Sequence, residues 1–228
     1  MPDPELRLDL DRRQRTGLAE AVYAPGKSPA QCANAVSGLL ADAVGPVLLT
    51  RADEVQAAAA VQANSGASST PAGADRAGTE LRTLTWRALP PRNGTALVLT
   101  AGTSDLPVAR EAEAVLEAYG HATSVVADAG VAGLHRVLEQ RENLERADVV
   151  LVVAGMEGAL ASAATGLTRA PVIAVPTSTG YGSGLDGVTA LLGMMASCSP
   201  GATVVGIDNG FGAACAAVRI LQSHEEER

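Results

Sequence analysis

Two hydrophobic textures divide the chain at about residue 92. Beyond it, the β-branched runs "TALVLT", "HATSVVA", "ADVVLVVA", "APVIAVP" and "ATVVGI" alternate with stretches of helical spacing: "LPVAREAEAVLEAYG", "VAGLHRVLEQREN", "MEGALASAATGL", "DGVTALLGMMAS" and "GFGAACAAVRILQS". An apolar run without polar alternation marks a strand covered on both faces. A helix after each strand marks βαβ units with right-handed crossovers around a parallel sheet. Five such units predict an α/β fold over residues 93–228, a flavodoxin-like, three-layer, doubly wound parallel sheet. The earlier residues read differently. "SPAQCANAVSGLLADA" (28–43) has apolar positions at helical spacing behind Ser-Pro, which predicts an N-capped helix with proline in its first turn. "PVLLT" and "LRTLTWRAL" read as strands, whereas "AAAAVQANSGASSTPAGADRAGTE" keeps no period and reads as a helix fading into a flexible segment. "PPRNG" closes this part, so residues 1–92 are expected to form a small α+β domain.

With 228 residues, 47% of them apolar, the chain can bury a full core without staples. The start, "MPDPELRLDLDRRQR", is charged, and no run approaches the roughly 18–20 apolar residues needed to cross a bilayer, so a cytoplasmic protein with no membrane partner is expected. A net charge of −8 and the near absence of aromatics argue against nucleic acid, which is held by cations against phosphates and by stacking platforms. Cys32, Cys198 and Cys215 have neither the spacing of a zinc site nor the density of a disulfide framework, so free thiols are expected.

Ligands of open α/β sheets bind outside the carboxyl ends of the strands. The segments that follow the predicted strands share one character: "AGTSD" (101–105), "DAGVAGLHR" (128–136), "GMEGAL" (155–160), "PTSTGYGSG" (176–184) and "DNGFGA" (208–213). Each combines glycine with hydroxyl, carboxylate or amide groups and opens a helix, which suits close backbone approach and anion binding. Turn and capping chemistry alone would favour the same residues in any one loop, and five together point to a shared polar cleft. None fits G-x-G-x-x-G after the first strand, which disfavours an ordinary dinucleotide site. Asp105 reads as a cleft carboxylate or as the N-cap of the helix beginning at Leu106 and Pro107. His135 reads as a proton shuttle or as a satisfied surface histidine. Glu157, expected in a helix's first turn, reads as general base, as magnesium ligand or simply as a partner of the helix dipole.

Cys198 lies in "MMASCSPGATVV", between a helical run and a strand. That position is a helix C-terminus, on the rim opposite the strand carboxyl ends. It offers none of the thiolate support that a helix N-terminus supplies, so local sequence alone favours a structural cysteine. Cys215, within "GAACAAVRI", reads as core packing.

The segments "TAGTSDLPVAREA", "DAGVAGLHR", "VVAGMEGALAS", "PVIAVPTSTGYGSGLDGVTALLGMMASCSPG" and "VVGIDNGFGAA" resemble, in order and without large gaps over about residues 95–221, the LarB family of nickel-pincer nucleotide cofactor biosynthesis. "LDLDRRQRTGLAEAVYAPGKSPAQ" looks like that family's N-terminal segment. LarB is in turn similar to PurE, the aminoimidazole ribonucleotide carboxylase and mutase, through "TSD", the "HR" of "GLHR" and "AGM...PVIAVP".

The resemblance implies that nicotinic acid adenine dinucleotide is carboxylated at pyridinium C5 with CO2 or bicarbonate and that its phosphoanhydride is hydrolysed to release AMP. It also implies magnesium for the hydrolytic half, a PurE-like homo-octamer or at least a dimer, and downstream cofactor-synthesis enzymes as partners. Cys198 falls on the family's nucleophile. An electron-poor pyridinium cannot attack CO2, but a thiolate added at C6 makes C5 nucleophilic. The thiol's rim position then requires that it reach a neighbouring subunit's cleft. The resemblance makes Glu157, Asp105 and His135 acid/base candidates beside Cys198. Its substrate-binding candidates are Thr103, Ser104, Gly133, Gly155, Met156, Thr177, Ser178, Tyr181, Asp208 and Asn209, with Arg15, Glu20 and Lys27 in the N-terminal segment. "SCSPG", where the family is expected to have alanine after the cysteine, and "GSGLDG", where an aromatic or small apolar residue is more usual, depart from the pattern without removing a reacting group. The rival readings are a PurE reaction on aminoimidazole ribonucleotide and a non-catalytic dinucleotide-binding module.

Overall fold

Ser28 and Asp53 each begin a helix by the same device. The side chain of each accepts the N–H of the residue three positions on, Gln31 or Gln56, whose amide returns the bond to the cap's own N–H. In the computed structural model, which describes residues 6–226, these caps open α2 (Pro29–Asp42) and α3 (Glu54–Ala63). Residues 1–5 of the charged start lie outside the described residues. The remaining elements of this part are α1 (Arg12–Thr16), β1 (Ala21–Tyr23), β2 (Val47–Ala52), β3 (Ser68–Ala74) and β4 (Glu80–Trp86). The strands form one mixed sheet in the order β1-β2-β4-β3, with β1 parallel to β2 and both β2 and β3 antiparallel to β4. The helices lay Cys32, Val36, Leu39, Ala57 and Ala60 against Val22, Leu49, Leu84 and Trp86. Buried Asn64 ties the layers together: its amide donates to Ala33 O and Ala60 O, and its own carbonyl accepts the Trp86 indole N–H at 3.0 Å.

One expectation fails in this part. Residues 68–74 are not a flexible segment but the edge strand β3, in register from Ser68↔Thr85 to Ala74↔Glu80 with a shift between Pro71 and Gly73. Its composition of Ser, Thr, Ala, Gly and Pro hides it, because an edge strand with one buried residue needs no apolar run.

The second part contains β5 (Thr95–Thr100), α4 (Leu106–Ala118), β6 (Ala122–Val126), α5 (Leu134–Leu138), α6 (Arg141–Arg146), β7 (Val149–Ala154), α7 (Ala159–Thr165), β8 (Val172–Pro176), α8 (Val188–Met195), β9 (Ala202–Val204) and α9 (Gly210–Glu226). Its five strands are all parallel, in the order β6-β5-β7-β8-β9. That order is the flavodoxin-like arrangement, flanked by helices, as the sequence predicts. Leu97, Leu99, Val150, Val152 and Ala174 face α5 to α8 through Val137, Leu144, Leu160, Ala164 and Met194. The residues between them on the strands, including Val98, Leu151, Val153, Ile173 and Val175, are buried as well. The chain divides into two compact units: residues 1–91 with 117–120, and residues 92–116 with 121–228.

The helix expected over residues 131–143 is broken into α5 and α6 around Gln140. The polar run from Glu139 to Glu142 offers no apolar contact to hold a helix through it, and each short piece anchors a single buried residue, Val137 or Leu144. Among the described residues, no helix is long and apolar enough to cross a membrane.

Candidate active site

The carboxyl edge of the parallel sheet is where backbone strain collects. Asp128, Met156, Leu185, Asp186 and Asp208 all have φ between +47° and +56°, and they lie in the loops after β6, β7, β8 and β9. Non-glycine residues in this region cost roughly 1–3 kcal/mol each and persist only where surroundings over-determine them, as they do at ligand sites.

Hydrogen bonds stitch these loops together. Asp105, only 2% exposed, ends the 3-10 turn Thr103–Asp105 that leaves β5. Its Oδ2 accepts the Gly102 N–H at 2.9 Å and its Oδ1 accepts the Thr177 hydroxyl at 2.6 Å. The carboxyl therefore faces back into the site, and capping of α4 is not its role. Burial pushes it above its ordinary value, with the hydrogen bonds from Thr177 and Gly102 acting the other way. Asp208 Oδ1 accepts the Ser178 N–H at 2.8 Å, and the Met156 N–H donates to Thr179 O at 2.9 Å. Gly155 is dictated by this crowding, because a Cβ there would sit 2.1 Å from Thr179 O. Thr103, Ser104, Met156, Glu157 and Tyr181 are exposed on the same edge.

Other candidates serve the frame. Asn209 caps α9 by accepting the Gly212 N–H at 2.8 Å. Glu157 is not in the first turn of α7. The helix starts at Ala159 behind Gly158, whose φ of +72° turns the chain, and Glu157 stands exposed in the preceding turn. His135 is exposed at the start of α5, beside Gly133 and Arg136. Arg136 pairs with Asp128 at 2.6 Å. Two supporting groups escape a reading of the sequence. Buried Glu111 accepts the Phe211 N–H across 100 residues, and Thr179 donates to Ser104 O. A carboxylate on the otherwise apolar face of α4 is the one signal that could have exposed the first.

Cys198 follows α8 in the connection entering β9, the amino edge of the sheet, and it is exposed. Cys32 is buried, which pushes its thiol up, and Cys215 is half-buried. Both neighbours of Cys198 are fixed to one residue of α7: the hydroxyls of Ser197 and Ser162 lie 2.6 Å apart, and the Ser199 hydroxyl donates to Ser162 O at 2.8 Å. Ser199 N–H also donates to the Ser197 hydroxyl, closing a tight bend around the cysteine.

In the N-terminal unit, Arg15 binds Asp9 through two nitrogens at 2.9 and 2.8 Å, and with Arg12 it lowers the Asp9 carboxyl to about 2. Glu20 accepts the Asp9 N–H and the Arg12 guanidinium. These two candidates belong to one ion cluster, whereas Lys27 lies apart with its ammonium on Tyr23 O at 2.8 Å. Among the described residues, no three His, Cys, Asp or Glu side chains gather to hold a metal ion. The donor set therefore does not fit a magnesium ion caged by the protein.

Comparison with known proteins follows this division. Residues 95–228 match the family described as AIR carboxylase, and residues 5–73 match the LarB/PurE-like N-terminal domain. An uncharacterized protein of Methanocaldococcus jannaschii is 38% identical over 213 residues, covering 92% of this chain and 82% of its own length. The N5-carboxyaminoimidazole ribonucleotide mutase of the same organism is 36% identical over 57% of this chain and 80% of its own length. That of Pyrococcus horikoshii is 34% identical over 54% of this chain and 70% of its own.

Proposed function

We propose a specific reaction for this chain, which belongs to the LarB family, in which a LarB-type N-terminal domain precedes a PurE-related carboxylase/mutase domain. It carboxylates pyridinium C5 of nicotinic acid adenine dinucleotide with CO2 or bicarbonate and hydrolyses the phosphoanhydride, giving AMP and pyridinium-3,5-biscarboxylic acid mononucleotide. In the carboxylation, the Cys198 thiolate adds to C6 and makes the ring an enamine-like dihydropyridine. C5 attacks CO2, a base takes the C5 proton, and the thiolate leaves as aromaticity returns. Glu157 and His135, both exposed, are candidates for that base. Asp105 holds the β5 and β8 loops together through Thr177. Magnesium, where the hydrolysis needs it, would be held chiefly by the substrate's own phosphates.

The observation that carries this reading is Cys198 itself, the one exposed thiol of three, in a bend braced from both sides by Ser162. Its place on the amino edge supports a cleft completed by another copy, in a homo-octamer or at least a dimer. Support comes from α8, which leaves Val188, Leu192 and Met195 exposed at helical spacing beside exposed Leu185. The setting is cytoplasmic, and the product passes to further cofactor-synthesis enzymes.

Mass spectrometry after incubation with the dinucleotide, bicarbonate and magnesium is expected to show one carboxylate gained on the ring and an equal amount of AMP. Cys198→Ala is expected to lose at least about a thousandfold in turnover with its circular dichroism unchanged. A Cys198→Ala protein that processes aminoimidazole ribonucleotide at the wild-type rate would assign the PurE reaction instead. Tight dinucleotide binding with no change of mass would indicate a binding module, and full activity at monomeric concentration would remove the requirement for a second copy.

A further inference from the structure

Of the chain's three tyrosines, Tyr119 is buried, and Tyr23 is 52% exposed on β1, an edge strand of the N-terminal sheet. The Arg51 guanidinium lies 5.9 Å from the centre of its ring. Arg51 is held at φ +54° in the irregular stretch of β2 between Leu49 and Ala52. A bulge of this kind re-aims a side chain, and a positive φ at arginine is a strained choice. The third member is Lys27, the only lysine in a chain of net charge −8, with its ammonium on the Tyr23 carbonyl.

These groups are braced from below. Gln56, 7% exposed, donates through Nε2 to Ala24 O at 3.0 Å and to Lys27 O at 2.8 Å, and its Oε1 accepts the Asp53 N–H at 3.1 Å. One buried amide thus fixes the turn that carries Lys27 to the segment that follows Arg51. The Asp53 carboxylate is engaged at the Gln56 N–H. The result is a half-exposed aromatic ring with two cations on a rigid mount, which suits a planar base that stacks and a phosphate that takes charge-assisted hydrogen bonds.

We propose that the N-terminal unit carries a binding site for a nucleoside 5′-phosphate, with the base stacked at Tyr23 and the phosphate held by Arg51 and Lys27. The site goes beyond the carboxylation reading and does not depend on it. The test is calorimetric titration of full-length Cys198→Ala protein, without bicarbonate or magnesium so that neither carboxylation nor hydrolysis intervenes, with AMP and with ribose 5-phosphate. AMP is expected to bind saturably and ribose 5-phosphate at least about tenfold more weakly, since it has no base to stack. Tyr23→Ala should weaken AMP by about tenfold or more and Tyr23→Phe by less than about twofold, because the ring is what stacks. Arg51→Gly should also weaken AMP by about tenfold while its thermal midpoint stays level or rises, because glycine relieves the positive φ. Displacement of AMP by nicotinic acid adenine dinucleotide would identify the adenylyl end of the dinucleotide as the occupant, and failure to displace would identify free AMP. Absence of saturable AMP binding, equal binding of ribose 5-phosphate, or affinity unmoved by Tyr23→Ala would overturn the site. None of those results bears on whether the wild-type protein carboxylates a pyridinium.

Discussion

The central strand of one sheet and an edge strand of the other follow opposite rules. β7, at the centre of the parallel sheet, buries all six of its residues, whereas β3, at the edge of the mixed sheet, buries only Ala72. A central strand with both faces covered must be apolar throughout. An edge strand contributes mainly backbone hydrogen bonds, which any residue but proline can donate. The difference shows that a strand's side chains advertise it only as far as burial demands.

The largest contrast should appear on truncation. Leu151→Ala in β7, at a fully buried position, is expected to cost about 2–5 kcal/mol, whereas Thr70→Ala in β3 should stay within about 0.5 kcal/mol. Urea titrations that follow the two units separately, with Trp86 fluorescence reporting the N-terminal one, would measure both. Comparable losses would mean that β3 is held by more than its ladder.

That asymmetry explains what the sequence reveals and what it conceals. β5, β7 and β8 are legible as apolar runs, the edge strands β6 and β9 only by their place in the strand–helix alternation, and the start of α2 from its Ser28 cap followed by Pro29. β1, with three residues, and β3, made of small ones, carry no such signal. In the candidate site, the glycine- and hydroxyl-rich loops can be read directly. The bond between Asp105 and Thr177 cannot, because 72 residues separate its ends. Tyr23 and Arg51 likewise meet only through the pairing of β1 with β2.

Asp105 offers a middle-sized effect with a definite sign. Its carboxyl is raised from 3.8 by burial, so the folded protein binds this proton more tightly than the unfolded chain. The associated stability is fully present below pH 3.8 and is lost as pH climbs through the raised folded value. Asp105→Asn can still accept the Gly102 N–H and can donate to the Thr177 hydroxyl, but it has no proton to lose. Stability of the C-terminal unit measured from pH 3 upward should therefore fall less steeply in the variant. Parallel curves would remove Asp105 from the set of groups that set this slope.

The smallest effect is expected at Ser162, where it separates having a thiol from aiming one. Ser162→Ala removes the 2.6 Å bond to Ser197 and leaves the carbonyl that accepts from Ser199, so about 0.5–1.5 kcal/mol of stability is at stake. Cys198 is exposed with or without that bond, so its alkylation by iodoacetamide should change by less than about twofold, while buried Cys32 stays protected. Turnover should fall by about tenfold through kcat with KM little altered, because covalent attack on a ring carbon depends on alignment far more than encounter with a small alkylating agent does. Ser162→Thr, which keeps the hydroxyl, should recover most of the loss. Wild-type turnover in Ser162→Ala would make the brace a packing detail, and a tenfold fall in alkylation would show that the bond governs access to the sulfur rather than its aim.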